Sequence, residues 1–78
     1  MTIAVAIYKN GTKLATGTAT AGSATIASVS LINERTIGAG RNIQITPTAG
    51  NNIGATMNTR VVTDSTTSIV VKDPVPFS

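Results

Sequence analysis

The sequence predicts an all-β fold, a small antiparallel sandwich or barrel of about six hairpin-connected strands. Three observations predict it. Ile3, Val5 and Ile7, and again Ile43 and Ile45, alternate with more polar or smaller neighbours, the period-two pattern of strands with one buried face. Asn10-Gly11 and Ala49-Gly50-Asn51-Asn52 supply turn residues between such runs. No segment carries an apolar period of 3.6 residues over a useful length.

The chain is organised around Arg41–Val62, which reads as strand, turn and strand. Ile43 and Ile45 alternate with Asn42, Gln44 and Thr46, and Pro47 stops the ladder because it has no N–H to donate. Ile53, Ala55, Met57, Thr59 and Val61 are expected to carry the return strand. Before this hairpin, Thr2–Lys9 forms the first strand and Asn10-Gly11 a type I′ turn with its lysines, Lys9 and Lys13, at the exposed tip. Thr12–Thr20 returns with Thr16, Thr18 and Thr20 on one face. Its other face, Ala15, Gly17, Ala19 and Ala21, is almost flat and suits close approach of another sheet or subunit.

After the Ala21-Gly22-Ser23 turn, Ala24–Ile32 makes a third strand in which Thr25, Ala27, Val29 and Leu31 share a face. Asn33-Glu34-Arg35-Thr36 is a charged surface loop, Ile37 tucks back, and Gly38-Ala39-Gly40 permits a bend. Beyond Val62, Thr63-Asp64-Ser65-Thr66 reads as a turn, and Thr67–Lys72 as the last strand, whose Ile69-Val70-Val71 run implies contact on both faces. One domain, residues 1–73, thus precedes an extended tail, residues 74–78, in which two prolines interrupt the ladder and Val75 and Phe77 are available to dock on a neighbour. Ala19–Ile26 and Thr46–Ile53 both set Thr-Ala-Gly before a strand, a likeness that turn chemistry explains more economically than duplication.

Composition bears on assembly. The chain has 78 residues, no cysteine and no histidine, so the disulfides and metal sites that staple many small domains are missing. Only 12% of residues are charged, about half the usual fraction. A lone open sheet of this kind exposes long uncharged edges, so either the sheet closes on itself or neighbouring subunits cover its edges; the latter is expected, and the thin apolar stock likewise favours a homo-oligomer. The expected subunit contacts are Ala15, Gly17, Ala19, Val75 and Phe77.

The residues offer little for catalysis. Without histidine or cysteine, acid–base or nucleophilic chemistry falls to Glu34, Asp64 and Asp73, which are far apart and sit in expected turns. The same three carboxylates lack the spacing of a calcium loop, and Gly38-Ala39-Gly40 lacks the following helix of a phosphate cradle. No enzyme, cofactor or metal is expected. Net charge is +3, but Lys9, Lys13, Arg35, Arg41, Arg60 and Lys72 form no run and aromatics are 3% of residues, which argues against nucleic acid. No span approaches the roughly 20 apolar residues of a membrane helix. Arg41 and Arg60 flank the base of the central hairpin and could meet across it, to bind an acidic group such as Glu34 or Asp64 of the same or another subunit.

Gly40-Arg41-Asn42-Ile43-Gln44-Ile45-Thr46, Ala49-Gly50-Asn51-Asn52 and the Ile7–Lys13 hairpin resemble short β modules of tailed-bacteriophage virion proteins, the tail, fibre and decoration components. The likeness covers about half the chain and is one of texture and turn motifs, matching also the Thr/Ala/Gly/Asn-rich, low-charge composition. It implies a non-enzymatic structural or attachment role in a repeated assembly, located in the virion, beside other virion proteins. Without a phage origin the expected location is cytoplasmic. Two alternatives remain open: a small basic nucleic-acid-binding β-barrel, and a carbohydrate-binding or adhesion module.

Overall fold

Backbone pairing settles the choice between sandwich and barrel. The computed structural model describes residues 2–32, 37–65 and 67–77. Among these it contains six strands and no helix: β1 (Thr2–Lys9), β2 (Thr12–Thr20), β3 (Thr25–Leu31), β4 (Asn42–Pro47), β5 (Met57–Asp64) and β6 (Ile69–Val71). They close into one antiparallel barrel in the order β1-β2-β3-β6-β5-β4. Two three-stranded meanders are therefore joined edge to edge, with β1 paired to β4 and β3 to β6. The expectation that neighbouring subunits cover open sheet edges fails: the ladder closes within one chain, and closure removes the long edges.

Alternation puts Ile3, Val5 and Ile7 of β1, Ile43 and Ile45 of β4, and Met57 and Val61 of β5 inside. The flat face of β2 also turns inward. Ala15 and Ala19 are fully buried within the chain, and Gly17 lies under β3, so the expectation that these three face another subunit is corrected. A small barrel has little interior width, and small residues on one strand make room for isoleucines on the others.

Three bulges set which side chains enter that interior. Ile7 pairs with Ala15 but Tyr8 with Lys13, so Leu14 is an extra residue and packs inside as well. On β3, Thr18 pairs with Ala27 and Thr16 with Ser30, leaving Ser28 and Val29 opposite Gly17 alone. Ser28 takes φ 52°, which flips the alternation: Ile26 and Val29 are buried while Thr25 and Ala27 are exposed. The expectation that Thr25, Ala27, Val29 and Leu31 share a face fails for that reason. On β5, Val61 pairs with Val71 and Thr63 with Val70, so Val62 bulges outward. β5 also begins at Met57 and runs to Asp64; Ile53 and Ala55 belong to the preceding loop, and the expected turn at Thr63-Asp64 moves to a contact between Ser65 and Ser68.

Both ends of the barrel are stoppered. At the end carrying the Asn10-Gly11 turn, whose φ values of 51° and 82° fit type I′, Ile37 is fully buried. The Gly38 amide donates to Asp64 Oδ2 at 3.0 Å and holds that connection down. The loop at residues 33–36 lies outside the described residues. At the other end the tail folds back. Val75, between two prolines, donates to Ser23 O at 2.9 Å and accepts from Gly22 N at 2.8 Å. Val75 is 1% exposed and Phe77 4%. The tail therefore makes ladder bonds and fills its own barrel, and the expectation that Val75 and Phe77 dock on a neighbour is corrected.

Two outcomes follow. Phe77→Ala should cost about 3–5 kcal/mol, with Phe77→Leu recovering most of it, read by thermal unfolding in circular dichroism; an unchanged midpoint for the alanine variant contradicts the stopper. A Cβ at Gly17 would stand 2.8 Å from Ile26 Cγ2 and 3.1 Å from the Ala27 carbonyl oxygen. Gly17→Ala should therefore lower the midpoint by roughly 5–20 °C, and no loss would mean that β2 and β3 are not this close.

Candidate functional site

Among the described residues the interior is lined by the apolar core, and two depressions lie on the outer wall. There the outward residues of β4 (Asn42, Gln44 and Thr46) run between β1 and β5, with Tyr8 and Asn58 as the register partners of Gln44. Adjacent strands lie about 4.8 Å apart, so Tyr8, Gln44 and Asn58 form a cross-strand row. Asn42 pairs with Arg60 in the next row.

On the β5 side the wall is interrupted. The bond from Lys72 N to Arg60 O, 2.9 Å, follows the Val61–Val71 pair, and the chain then leaves β5 for the tail. A depression of about 370 Å³ lies at this seam, lined by Asn42, Gln44, Asn58, Arg60, Lys72 and Asp73 among others. Thr59, the buried polar residue of the described core, donates from Oγ1 to Asp73 Oδ2 at 3.2 Å and anchors one rim. Among the described residues, no side-chain hydrogen bond or ion pair engages Asn42, Gln44, Asn58, Arg60 or Lys72. On the β1 side of Gln44 a second depression, about 350 Å³, is bounded by Tyr8, Gly11, Gln44, Thr46 and Thr56.

The two arginines singled out from the sequence are not register partners. Asn42 is the register partner of Arg60, while the Arg41 carbonyl accepts from Val61 N at 2.9 Å. Arg60 is an exposed residue of β5, while Arg41 precedes β4. Arg41 is half-buried over Gly38, where a Cβ would stand 3.7 Å from its Nε. Asp64, one of the acidic groups expected near them, receives the Gly38 amide, and Glu34 lies outside the described residues. The remaining described cations are spread out, with Lys9 and Lys13 beside the Asn10-Gly11 turn and Lys72 next to Arg60.

Among the described residues no three His, Cys, Asp or Glu side chains gather as a metal site, and no helix is long and apolar enough to cross a membrane. The β4–β5 seam was not visible in the sequence as a site. The alternation of Asn42, Gln44 and Thr46 marks an outer face, but pairing with Tyr8 on one side and Asn58 on the other depends on closure between residues far apart in the chain. No protein-family model, curated protein or solved structure matches this chain.

Proposed function

We propose that the chain is a non-enzymatic structural module that self-associates, as a component of a phage particle of the tail, fibre or capsid-decoration kind. The observation that carries self-association is the set of bulky apolar side chains left outside a barrel that has buried nearly all the others. Ile53 is 67% exposed, Val62 53% and Ile32 52%. Covering such groups is favourable, at about 25 cal/mol per Å2 of apolar surface removed from water.

Ile53 is the principal contact. It stands in the loop at residues 48–56, between β4 and β5, and every residue of that loop is uncharged. Copies that carry a net +3 charge can therefore bring these loops together without opposing like charges at the point of contact. The contact is a side-chain contact; the backbone edges are already spent on closing the barrel. Placement in a virion rests on the resemblance in turn motifs and composition, and a threonine-rich wall of low charge suits lateral packing in a repeated shell or shaft.

Sedimentation velocity tests the association. The chain should form concentration-dependent oligomers, and Ile53→Asp should leave a monomer with an unchanged unfolding midpoint. A wild-type chain that stays monomeric at hundreds of micromolar, or an Ile53→Asp variant that associates normally, overturns the reading. Capsid and tail genes flanking the coding sequence support the virion placement; unrelated metabolic genes on both sides oppose it.

A further inference from the structure

We propose that the β4–β5 seam is a saccharide-binding site, and that its ligand is a short oligosaccharide carrying a carboxylate. The inference does not rest on self-association: Ile53 lines neither depression, although Thr56 of the same loop borders the second. Three features of the wall carry it.

The first is an unspent set of polar groups. Asn42, Gln44, Asn58, Arg60 and Lys72 converge on one depression, and none is engaged by another described side chain. Side-chain amides both donate and accept, as sugar hydroxyls do, so each can meet a hydroxyl in either sense. Gln44 and Asn58 are register partners on neighbouring strands, a spacing suited to adjacent hydroxyls on one ring. The free oxygen of Asp73, whose other oxygen is held by Thr59, accepts from a further hydroxyl.

The second is the sign and shape of the charge. Arg60 offers a planar fork that binds a carboxylate through two parallel hydrogen bonds, and Lys72 lies at the same rim. The third is the aromatic ring on the other side of Gln44. Tyr8 is half-buried and lines the second depression, where its aromatic ring supplies an apolar surface for the C–H groups of a sugar. Tyr8, β4 and β5 together span two interstrand spacings, roughly 10 Å. That length accommodates two or three sugar rings, with the carboxylate over Arg60.

The same features disfavour a nucleic acid. A nucleic-acid groove neutralises several phosphates and stacks successive bases on several aromatics. This seam has two cations, enough for one carboxylate but not for several phosphates, and one tyrosine.

The test is an NMR titration of the isotope-labelled full chain with a galacturonic acid trisaccharide, the corresponding neutral galactose trisaccharide, and a single-stranded DNA oligonucleotide. The acidic trisaccharide should shift the resonances of Gln44, Asn58 and Arg60, with a dissociation constant on the order of 1 mM as suits a shallow polar site. The neutral sugar should bind about tenfold more weakly, and Arg60→Gln should reduce the acidic sugar to that level. Gln44→Ala should weaken both sugars, while Ile53→Asp, which removes the proposed contact between copies, should leave both unchanged. Failure of either sugar to move these resonances overturns the proposal, as does binding of the oligonucleotide alone with a steep salt dependence. Equal binding of the acidic sugar by wild type and Arg60→Gln overturns the assignment of the carboxylate.

Discussion

Closure of the backbone ladder is the constraint on which the rest of the molecule depends. Once β1 pairs with β4 and β3 with β6, the interior is bounded by six strands and its width is fixed. That space is too narrow for large residues on every strand. The chain answers with alanine and glycine on β2 facing isoleucine and valine elsewhere, and with bulges at Leu14, Ser28 and Val62 that re-aim individual side chains. The open ends are filled by Ile37 at one and by Val75 and Phe77 at the other. A chain without cysteine or histidine thus completes its core with its own tail.

The surface follows from the interior. Because nearly every bulky apolar residue is consumed inside, the outer wall is left to threonine, asparagine, glutamine and a few charges, with Ile53, Val62 and Ile32 as conspicuous exceptions. The wall is also not uniform. β6 is short, its pairing with β5 ends beside Arg60, and the tail turns away to stopper the barrel. The polar seam is therefore a by-product of the same tail that closes the core. Core completion and the candidate binding surface are two consequences of one choice of route for residues 72–77.

Much of the fold could be read from the residues. Period-two runs located β1, β2 and β4, Asn10-Gly11 located the first turn, and Ile37 and the glycines after it behaved as their local chemistry requires. The repeated Thr-Ala-Gly sits where β2 leads into β3 and in the β4–β5 loop, which occupy different places in the two meanders. Three things could not be read locally. A positive-φ serine at position 28 inverts the alternation of β3, and serine gives no sign of it. The flat face of β2 looks the same whether it meets another subunit or its own barrel. The docking of Val75 and Phe77 on the chain's own turn depends on a contact between residues about fifty positions apart, Gly22 and Val75. The seam shares this limitation, since its row of side chains is assembled from β1, β4 and β5 only when the ladder closes.

Backbone amide hydrogen exchange on the dilute chain, followed residue by residue, probes closure most directly. The Gly22, Val71 and Val75 amides donate across the β3–β6 seam and the tail stopper, and Val29 donates to Thr67 across the same seam. They should be protected to the same degree as the amides of the β1–β2 ladder, at every protein concentration. Exchange at the rate of an unstructured chain, or protection that grows with concentration, would show that the barrel is completed by another copy instead.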